Sequence, residues 1–230
     1  MTMCLTPQLG HSRMPLLTRR AILSGLAGAG GAAVAAAQVP LRVSSERLHL
    51  RGTPQLNIGP FYPLNRPPEE DADLTQIAGR PGRARGQIID LIGRVVDESG
   101  RPVSGAQIDM WQTNAAGRYH HPMDTGDAPF DPHFQGAAIL RADADGAYRI
   151  RTVLPGLYVP KARHIHFDVR GNRRRLITQM FFPGEPNDAD GAYKSLPNSK
   201  LKAAVTARQS PQRSSDGVQT YLWDITRAGE

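Results

Sequence analysis

Apolar and polar residues alternate with a period of two over much of the chain after residue 86, which is the spacing of strands that bury one face. Clusters of Gly, Pro, Ser and Asp interrupt this alternation at short intervals, as turns do. Two of the interruptions, at 98–102 and 143–146, separate strands that we expect to pair as hairpins. The predicted strands cover 88–97, 106–111, 137–142, 147–152, 165–169, 176–182 and 220–225.

Many short strands separated by turns predict an all-β protein whose core is an antiparallel β-sandwich. Little helix is expected, because the only helical pattern lies between 190 and 207 and Pro197 interrupts it. Residues 38–85 are rich in Pro, Arg and acidic residues and have little periodicity, so they are expected to form an extended N-terminal arm. The β-sandwich domain is assigned to 86–230.

The N-terminal region 1–37 has the pattern of a twin-arginine-type signal. Arg19 and Arg20 precede a run of Ala and Gly that ends in the small residues Ala35, Ala36 and Ala37. This run is too short and too weakly apolar to cross a bilayer, so no stable membrane span is expected. The predicted location is periplasmic or extracellular, reached by a pathway that exports proteins already folded.

Composition excludes several kinds of site. The formal charge is +7, and Arg13, Arg19 and Arg20 supply three of these charges in a region without acids, which leaves +4 for residues 38–230. That charge is too small to predict binding to nucleic acid. The only cysteine, Cys4, precedes the predicted cleavage site, so the exported chain is expected to have no disulfide, cysteine-ligated metal or cysteine nucleophile.

His164 and His166 are two apart on a predicted strand and therefore point to the same side, as the two nitrogens of a metal clamp would. Tyr119 and Tyr158 each follow a small-residue loop near a strand end, where sandwich proteins often build their sites. A phenolate is a hard donor that prefers a highly charged ion, so two Tyr and two His together indicate Fe(III). Packing tyrosines, a solvent-facing histidine pair, or zinc or copper on the histidines alone remain alternatives.

Several ordered motifs resemble those of the intradiol ring-cleavage dioxygenase family, most closely its protocatechuate 3,4-dioxygenase-like members. The resemblance covers about residues 57–183. The matching runs are 59–63 (GPFYP), 93–97 (GRVVD), 100–106 (GRPVSGA), 111–119 (WQTNAAGRY), 143–158, 164–167 (HIHF) and 176–182 (LITQMFF).

The resemblance implies non-haem Fe(III) held by Tyr119, Tyr158, His164 and His166. It implies a catecholic substrate of the protocatechuate, catechol or hydroxyquinol type, into whose ring both atoms of O2 are inserted to give a cis,cis-muconate. In such enzymes the second tyrosine, here Tyr158, is the ligand that the substrate displaces. Family members are often oligomeric, so a homo-oligomer is an expectation, and no nucleotide cofactor is implied.

The resemblance also implies catalytic roles around the metal. Gln179 matches a position near the substrate, although a buried amide in a strand can equally serve hydrogen bonding alone. The family commonly has Arg three residues before the first histidine, where this chain has Lys161, and Arg163 directly precedes His164. If the strand has begun at Arg163, alternation directs that side chain away from the metal and favours Lys161 as the functional cation. Arg118 or another nearby cation could receive a substrate carboxylate.

A non-catalytic, transthyretin-like β-sandwich binding module is the rival interpretation, because its hairpins share the 93–106 pattern. Such a module has no need for two tyrosines and two histidines together. Colour separates the interpretations, since charge transfer from phenolate to Fe(III) tints a protein red and zinc does not.

Overall fold

The structure, a computed structural model, describes residues 52–64 and 71–230. The predicted signal region 1–37 lies outside the described residues, as do 38–51 and 65–70 of the predicted arm. The described parts of the arm, 52–64 and 71–85, contain no helix or strand beyond one isolated bridge between Asp73 and Arg151.

The described residues after 86 form nine strands in two sheets, which confirms the all-β prediction. The strands are β1 Ile88–Asp97, β2 Gln107–Trp111, β3 Ala137–Arg141, β4 Ala147–Val153, β5 His164–Arg170, β6 Arg175–Phe181, β7 Arg208–Arg213, β8 Gln219–Leu222 and β9 Ile225–Arg227. In the first sheet the strand order is β4-β1-β8-β7, and β9 also pairs with β1, along residues 95–97. In the second sheet the order is β3-β2-β5-β6.

The main hydrophobic core lies between the two sheets. Alternation in β5 directs Ile165, Phe167 and Val169 into this core, where none of them is exposed. β1 contributes Ile89 and Leu91 from the opposite layer. The first sheet is mixed rather than purely antiparallel, because β8 and β9 run parallel to β1.

The hairpins predicted between β1 and β2 and between β3 and β4 were wrong. The tight turns do form, since the amide of Val103 donates to the carbonyl of Val95 at 2.9 Å and that of Gly146 to Asp143 at 3.0 Å. Beyond each turn, however, the chain crosses to the other sheet. Alternation shows that a strand buries one face but not which strand it pairs with. The predicted pairing of β5 with β6 is confirmed by a continuous antiparallel register.

Helix is confined to one short segment of the described chain, as predicted. A 3-10 turn at Asn187–Ala189 precedes α1 (Gly191–Lys194) and α2 (Ser199–Ala204), and Pro197 lies between the two helices. Asp190 caps α1 by accepting hydrogen bonds from the amides of Ala192 and Tyr193. No helix of the described residues is long and apolar enough to span a bilayer.

Candidate metal centre

The four predicted metal ligands lie together on the face of the second sheet that is turned away from the core. Nε2 of His164 lies 3.0 Å from Nε2 of His166, and Oη of Tyr119 lies 3.4 Å from Nε2 of His164. The ring centroids of Tyr119 and Tyr158 are 5.8 Å apart. Two imidazole nitrogens and two phenol rings therefore share one site; that they bind a metal stays a prediction.

The loops that carry the two tyrosines touch each other at a pair of glycines. Gly117 has φ +91°, and a Cβ at this position would lie 2.2 Å from the carbonyl oxygen of Leu157. A Cβ on Gly156 would in turn lie 2.1 Å from the amide nitrogen of Gly117. Only glycine lets the two loop backbones pack this closely, and the close packing brings Tyr119 and Tyr158 into the same site.

His164 is held in the tautomer that binds metals through Nε2, and His166 is held in place by stacking. Nδ1 of His164 donates to the carbonyl of Ala162 at 2.6 Å, which leaves the lone pair of Nε2 facing the site. The ring of His166 stacks on Trp111, with centroids 4.9 Å apart and planes 7° apart. Burial lowers the pKa of both imidazoles, and the charge of Lys161 lowers it further. Both side chains are therefore neutral at neutral pH.

Tyr119 is a buried phenol with 4% of its surface exposed. Burial raises its pKa, and the neighbouring Tyr158, Asp124 and Asp190 raise it further. A phenolate at this position therefore requires a compensating cation, which a bound metal would supply. Phe61 packs against both tyrosines, at 4.7 Å from the ring of Tyr119 and 5.5 Å from that of Tyr158.

The donors that converge here restrict the metals that the site could hold. Among the described residues, no group of three or more His, Cys, Asp or Glu could hold a metal ion. A site of imidazole and carboxylate alone is therefore not found in that part of the chain. Two neutral imidazoles and two phenols remain, and their hard oxygen donors suit a trivalent ion.

The two predicted catalytic cations lie in different surroundings. Nζ of Lys161 lies 3.5 Å from Oδ1 of Asp190, and the Lys161 charge acts on both metal-facing imidazoles. Nε of Arg163 donates to Glu185 at 2.9 Å, and its guanidinium also donates to the carbonyl of Pro155. The charge of Arg163 acts on Tyr221, in the first sheet. The geometry therefore favours Lys161 over Arg163 beside the site.

Gln179 lies on β6 directly opposite His166 in the register. Its Nε2 donates to the backbone carbonyl of Asn57 at 3.0 Å and to the Asn57 side chain at 3.1 Å. Its Oε1 is buried and has no hydrogen-bond partner in the described part of the chain. Gln179 thus binds the arm segment 52–64 to the sheet through Nε2, while its Oε1 remains available as a hydrogen-bond acceptor.

Sequence reasoning missed the contribution of this arm segment. Gly59, with φ +71°, lies against His166, where a Cβ would be 3.0 Å from the imidazole Cε1. Phe61 and Tyr62 follow and pack on Tyr119 and Trp111 respectively. The motif at 59–63 belongs to the resemblance but predicts no role, because nothing local to it indicates contacts with residues so distant in the sequence.

A cavity of about 340 Å³ opens beside Tyr119, between the arm and the loops that follow β2. Trp111, His121 and Arg80 are among its lining residues. Burial, and after it the charge of Arg80, lowers the pKa of His120, which lines the same cavity. Arg118, which sequence reasoning had considered for a substrate carboxylate, lines a different cavity, on the side of Tyr158.

Comparisons with known proteins identify the family of the chain. The family model described as Dioxygenase matches residues 58–229. The protocatechuate 3,4-dioxygenase beta chain of Burkholderia cepacia is 43% identical over 202 residues, which cover 83% of this chain and 82% of that protein. Catechol 1,2-dioxygenase 1 of Acinetobacter lwoffii is 29% identical over 154 residues, and this chain spans about half of its length (48%).

Solved structures show the same fold. The dioxygenase domain of a dioxygenase and carbohydrate-binding fusion protein from Streptomyces sp. SirexAA-E superposes with a TM-score of 0.59 at 26% identity. The match covers 77% of this chain and 98% of that domain. With a family match over most of its length and a relative of 43% identity, the chain belongs to the intradiol ring-cleavage dioxygenases.

Proposed function

We propose that this chain is a non-haem Fe(III) intradiol dioxygenase that inserts both atoms of O2 into a catecholic ring and forms a cis,cis-muconate. One observation carries the proposal: Nε2 of His164, Nε2 of His166 and Oη of Tyr119 converge within hydrogen-bonding distances beside a second phenol, Tyr158. Family membership supports the reaction class.

In this proposal Tyr119, Tyr158, His164 and His166 hold the ferric ion. The ion, when bound, would withdraw electron density from a catecholate and open a ring carbon to O2. The two phenolates would offset two of its three positive charges, while the neutral imidazoles add none. The substrate itself supplies the electrons that reduce O2, so no nicotinamide or flavin is needed.

The two tyrosines have different parts in the proposed reaction because they are packed differently. Tyr119 is buried against Phe61, whereas Tyr158 is half-buried in a turn that also contains Lys161. Tyr158 is therefore the ligand that gives way to the catechol, and its Oη takes up one of the catechol protons as it leaves. Phe61 covers both rings and limits the access of water.

Lys161 supplies the positive charge next to the substrate in this proposal. Its side chain is 30% exposed, and its ammonium group would attract the catecholate, while Asp190 restrains its position. Gln179 keeps the arm in place and offers its free Oε1 on the His166 side. We also propose that residues 1–37 direct export to the periplasm or the outside of the cell, and that the protein assembles as a homo-oligomer.

The decisive experiment is the visible spectrum of the iron-loaded protein, recorded without oxygen before and after adding catechol, 3,4-dihydroxybenzoate or hydroxyquinol. We expect a red phenolate-to-iron band that shifts with a substrate, and a muconate product once O2 is admitted. Tyr119→Phe should weaken the band, and Tyr193→Phe, which removes a phenol outside the site, should leave it unchanged. A colourless protein that ignores every catechol would overturn the proposal and favour a binding module.

A further inference from the structure

Three exposed apolar side chains lie together beside Tyr158. Five large apolar residues of the described chain are at least half exposed, and three of these five line a single cavity. They are Met123, which is 65% exposed, Leu157, which is 52% exposed, and Val159, which is 82% exposed. Apolar residues that are exposed singly are normal on a protein surface, whereas a group of them around one cavity indicates a binding surface.

This cavity has a volume of about 350 Å³ and adjoins the candidate metal centre. Tyr158 and Phe61, whose ring centroids are 5.5 Å apart, both line it. In the proposed function, Tyr158 is the ligand that gives way to the catechol. A catechol that takes its place would therefore lie beside the cavity, and a substituent on the catechol ring could enter it.

Hydrogen bonds hold the rim of the cavity in place. The amide of Gly156 donates to the carbonyl of Asn114 at 2.8 Å, and the hydroxyl of Thr113 donates to the carbonyl of Gly156 at 3.0 Å. On the other side of the cavity, the amide of Met123 donates to Nδ1 of His121 at 3.2 Å. The apolar side chains are thus carried on loops that need little further ordering when a ligand binds.

The charges around the cavity disfavour an anionic substituent. Arg118 is the only cation among the described residues that line it, and its Nε lies 3.7 Å from Oδ1 of Asp124. Asp127, which is exposed, adds a second carboxylate to the lining. Two carboxylates and one guanidinium would repel a substrate carboxylate, so the charge balance favours a neutral substituent.

We propose that Met123, Leu157 and Val159 form a subsite for a neutral, apolar substituent, as large as a second ring, on the catecholic substrate. The inference rests on the proposed function, because it assumes that the two ring hydroxyls lie at the metal centre. An aromatic substituent suits this lining, since a thioether packs well on aromatic rings and Phe61 adds an aromatic wall. Removal of the second ring from water supplies the binding energy.

The experiment compares kcat/KM for 4-phenylcatechol with kcat/KM for catechol, using the iron-loaded full chain. We expect the phenyl group to raise kcat/KM on the order of tenfold. A combined variant with Met123→Gln, Leu157→Asn and Val159→Thr keeps the size of the three side chains but makes them polar, and it should abolish most of this gain. Its kcat/KM for catechol should stay within twofold, because catechol has no substituent. A ratio near one in the unaltered protein, or the same ratio in the combined variant, would overturn the subsite.

Leu64→Asn combined with Phe130→Asn is the matched control. These substitutions remove the other two exposed large apolar side chains of the described residues, and neither residue lines this cavity. The control should keep the ratio of the unaltered protein, and a loss as large as that of the combined variant would refute the subsite. Light scattering on the same proteins tests whether the three residues instead form an interface between copies of the chain. A changed assembly state with an unchanged ratio would assign them to that interface and refute the subsite.

A binding measurement on the protein as purified separates this inference from the proposed function. Calorimetry with 4-phenylphenol and with phenol should show a preference for the second ring, and the combined variant should reduce that preference about tenfold. If no catechol is turned over but the preference and its loss are observed, the proposed function fails and the apolar subsite stands. If catechols are turned over and neither the preference nor the kinetic ratio depends on the three residues, the subsite alone fails.

Discussion

Asp190 is connected to the candidate metal centre through a single residue, Ala162, and replacing Asp190 should weaken metal binding. Its carboxylate is fully buried, and Oδ2 accepts a hydrogen bond from the amide of Ala162 at 3.1 Å. The carbonyl of the same Ala162 accepts from Nδ1 of His164 at 2.6 Å. The carboxylate thus positions Ala162, whose carbonyl orients the imidazole, in the way that outer-shell carboxylates usually act on metal-binding histidines.

The size of the effect follows from the bonds that Asp190→Asn would change. Oδ1 can keep its bond to the amide of Ala192 at 2.8 Å, but an amide NH2 in place of Oδ2 would face the N–H of Ala162. The charge-assisted bond from the Ala162 amide is lost and the ion pair with Lys161 loses its negative partner, which together cost about 1–3 kcal/mol of folding free energy. At this chain length that lowers Tm by about 2–12 °C. The metal affinity should fall about tenfold to a hundredfold.

The assay is a chelator competition for bound iron, run beside thermal unfolding of the metal-free protein. Asp188→Asn is the control, because Asp188 lies two residues earlier, is exposed and, among the described residues, forms an ion pair only with Lys202. It should change neither quantity appreciably. If Asp190→Asn lowers Tm but binds iron as tightly as the unaltered protein, the role of Asp190 in positioning His164 is wrong.

Three further changes test the site and its surroundings. Tyr119→Phe removes the phenol oxygen nearest to His164, so iron content after dialysis should fall by more than about tenfold, with the circular dichroism spectrum unchanged. Lys161→Arg keeps the positive charge but replaces a compact ammonium with a planar guanidinium, so turnover should change while iron content does not. Kinetics identical to those of the unaltered protein would show that Lys161 has no part in the mechanism. Burial raises the pKa of Asp168, but hydrogen bonds from Arg175 and Arg170 outweigh it and hold the pKa below its usual range. The ionised carboxylate therefore stabilises the fold above about pH 4, and this stabilisation is lost as the pH falls. Asp168→Asn should lower the free energy of unfolding in urea by about 1–3 kcal/mol at pH 7 and by clearly less at pH 3.

The parts of the fold that could be predicted are those determined by local alternation. The period of two in 164–170 places the histidines on one face and Ile165 and Phe167 on the other, and the structure has this arrangement. The break at Pro197 was equally local, and it separates α1 from α2. Strand partners were not predictable, because the turn at 98–102 is compatible both with a hairpin and with a crossing between sheets.

The candidate site was predictable in its ligand types but not in its enclosure. Two tyrosines on small-residue loops and a histidine pair could be recognised because each has a local pattern. Phe61, Trp111 and Asp190 have none: they contact the site only because the arm, β2 and the segment before α1 converge there. Contacts of such long sequence separation depend on the whole topology, which alternation alone leaves open.

The outer face of β5 supports the proposal that the site binds a cation. His164, His166 and Asp168 follow one another at alternate positions, and all three are buried although they are polar. Asp168 has its charge compensated by two arginines. The histidines instead face Tyr119, whose burial disfavours a phenolate in the absence of positive charge. Burying a polar or charged group is costly unless the group is paired. Arg170 and Arg175 pair with Asp168, and a metal bound by the two histidines would stabilise the phenolate of Tyr119 in the same way.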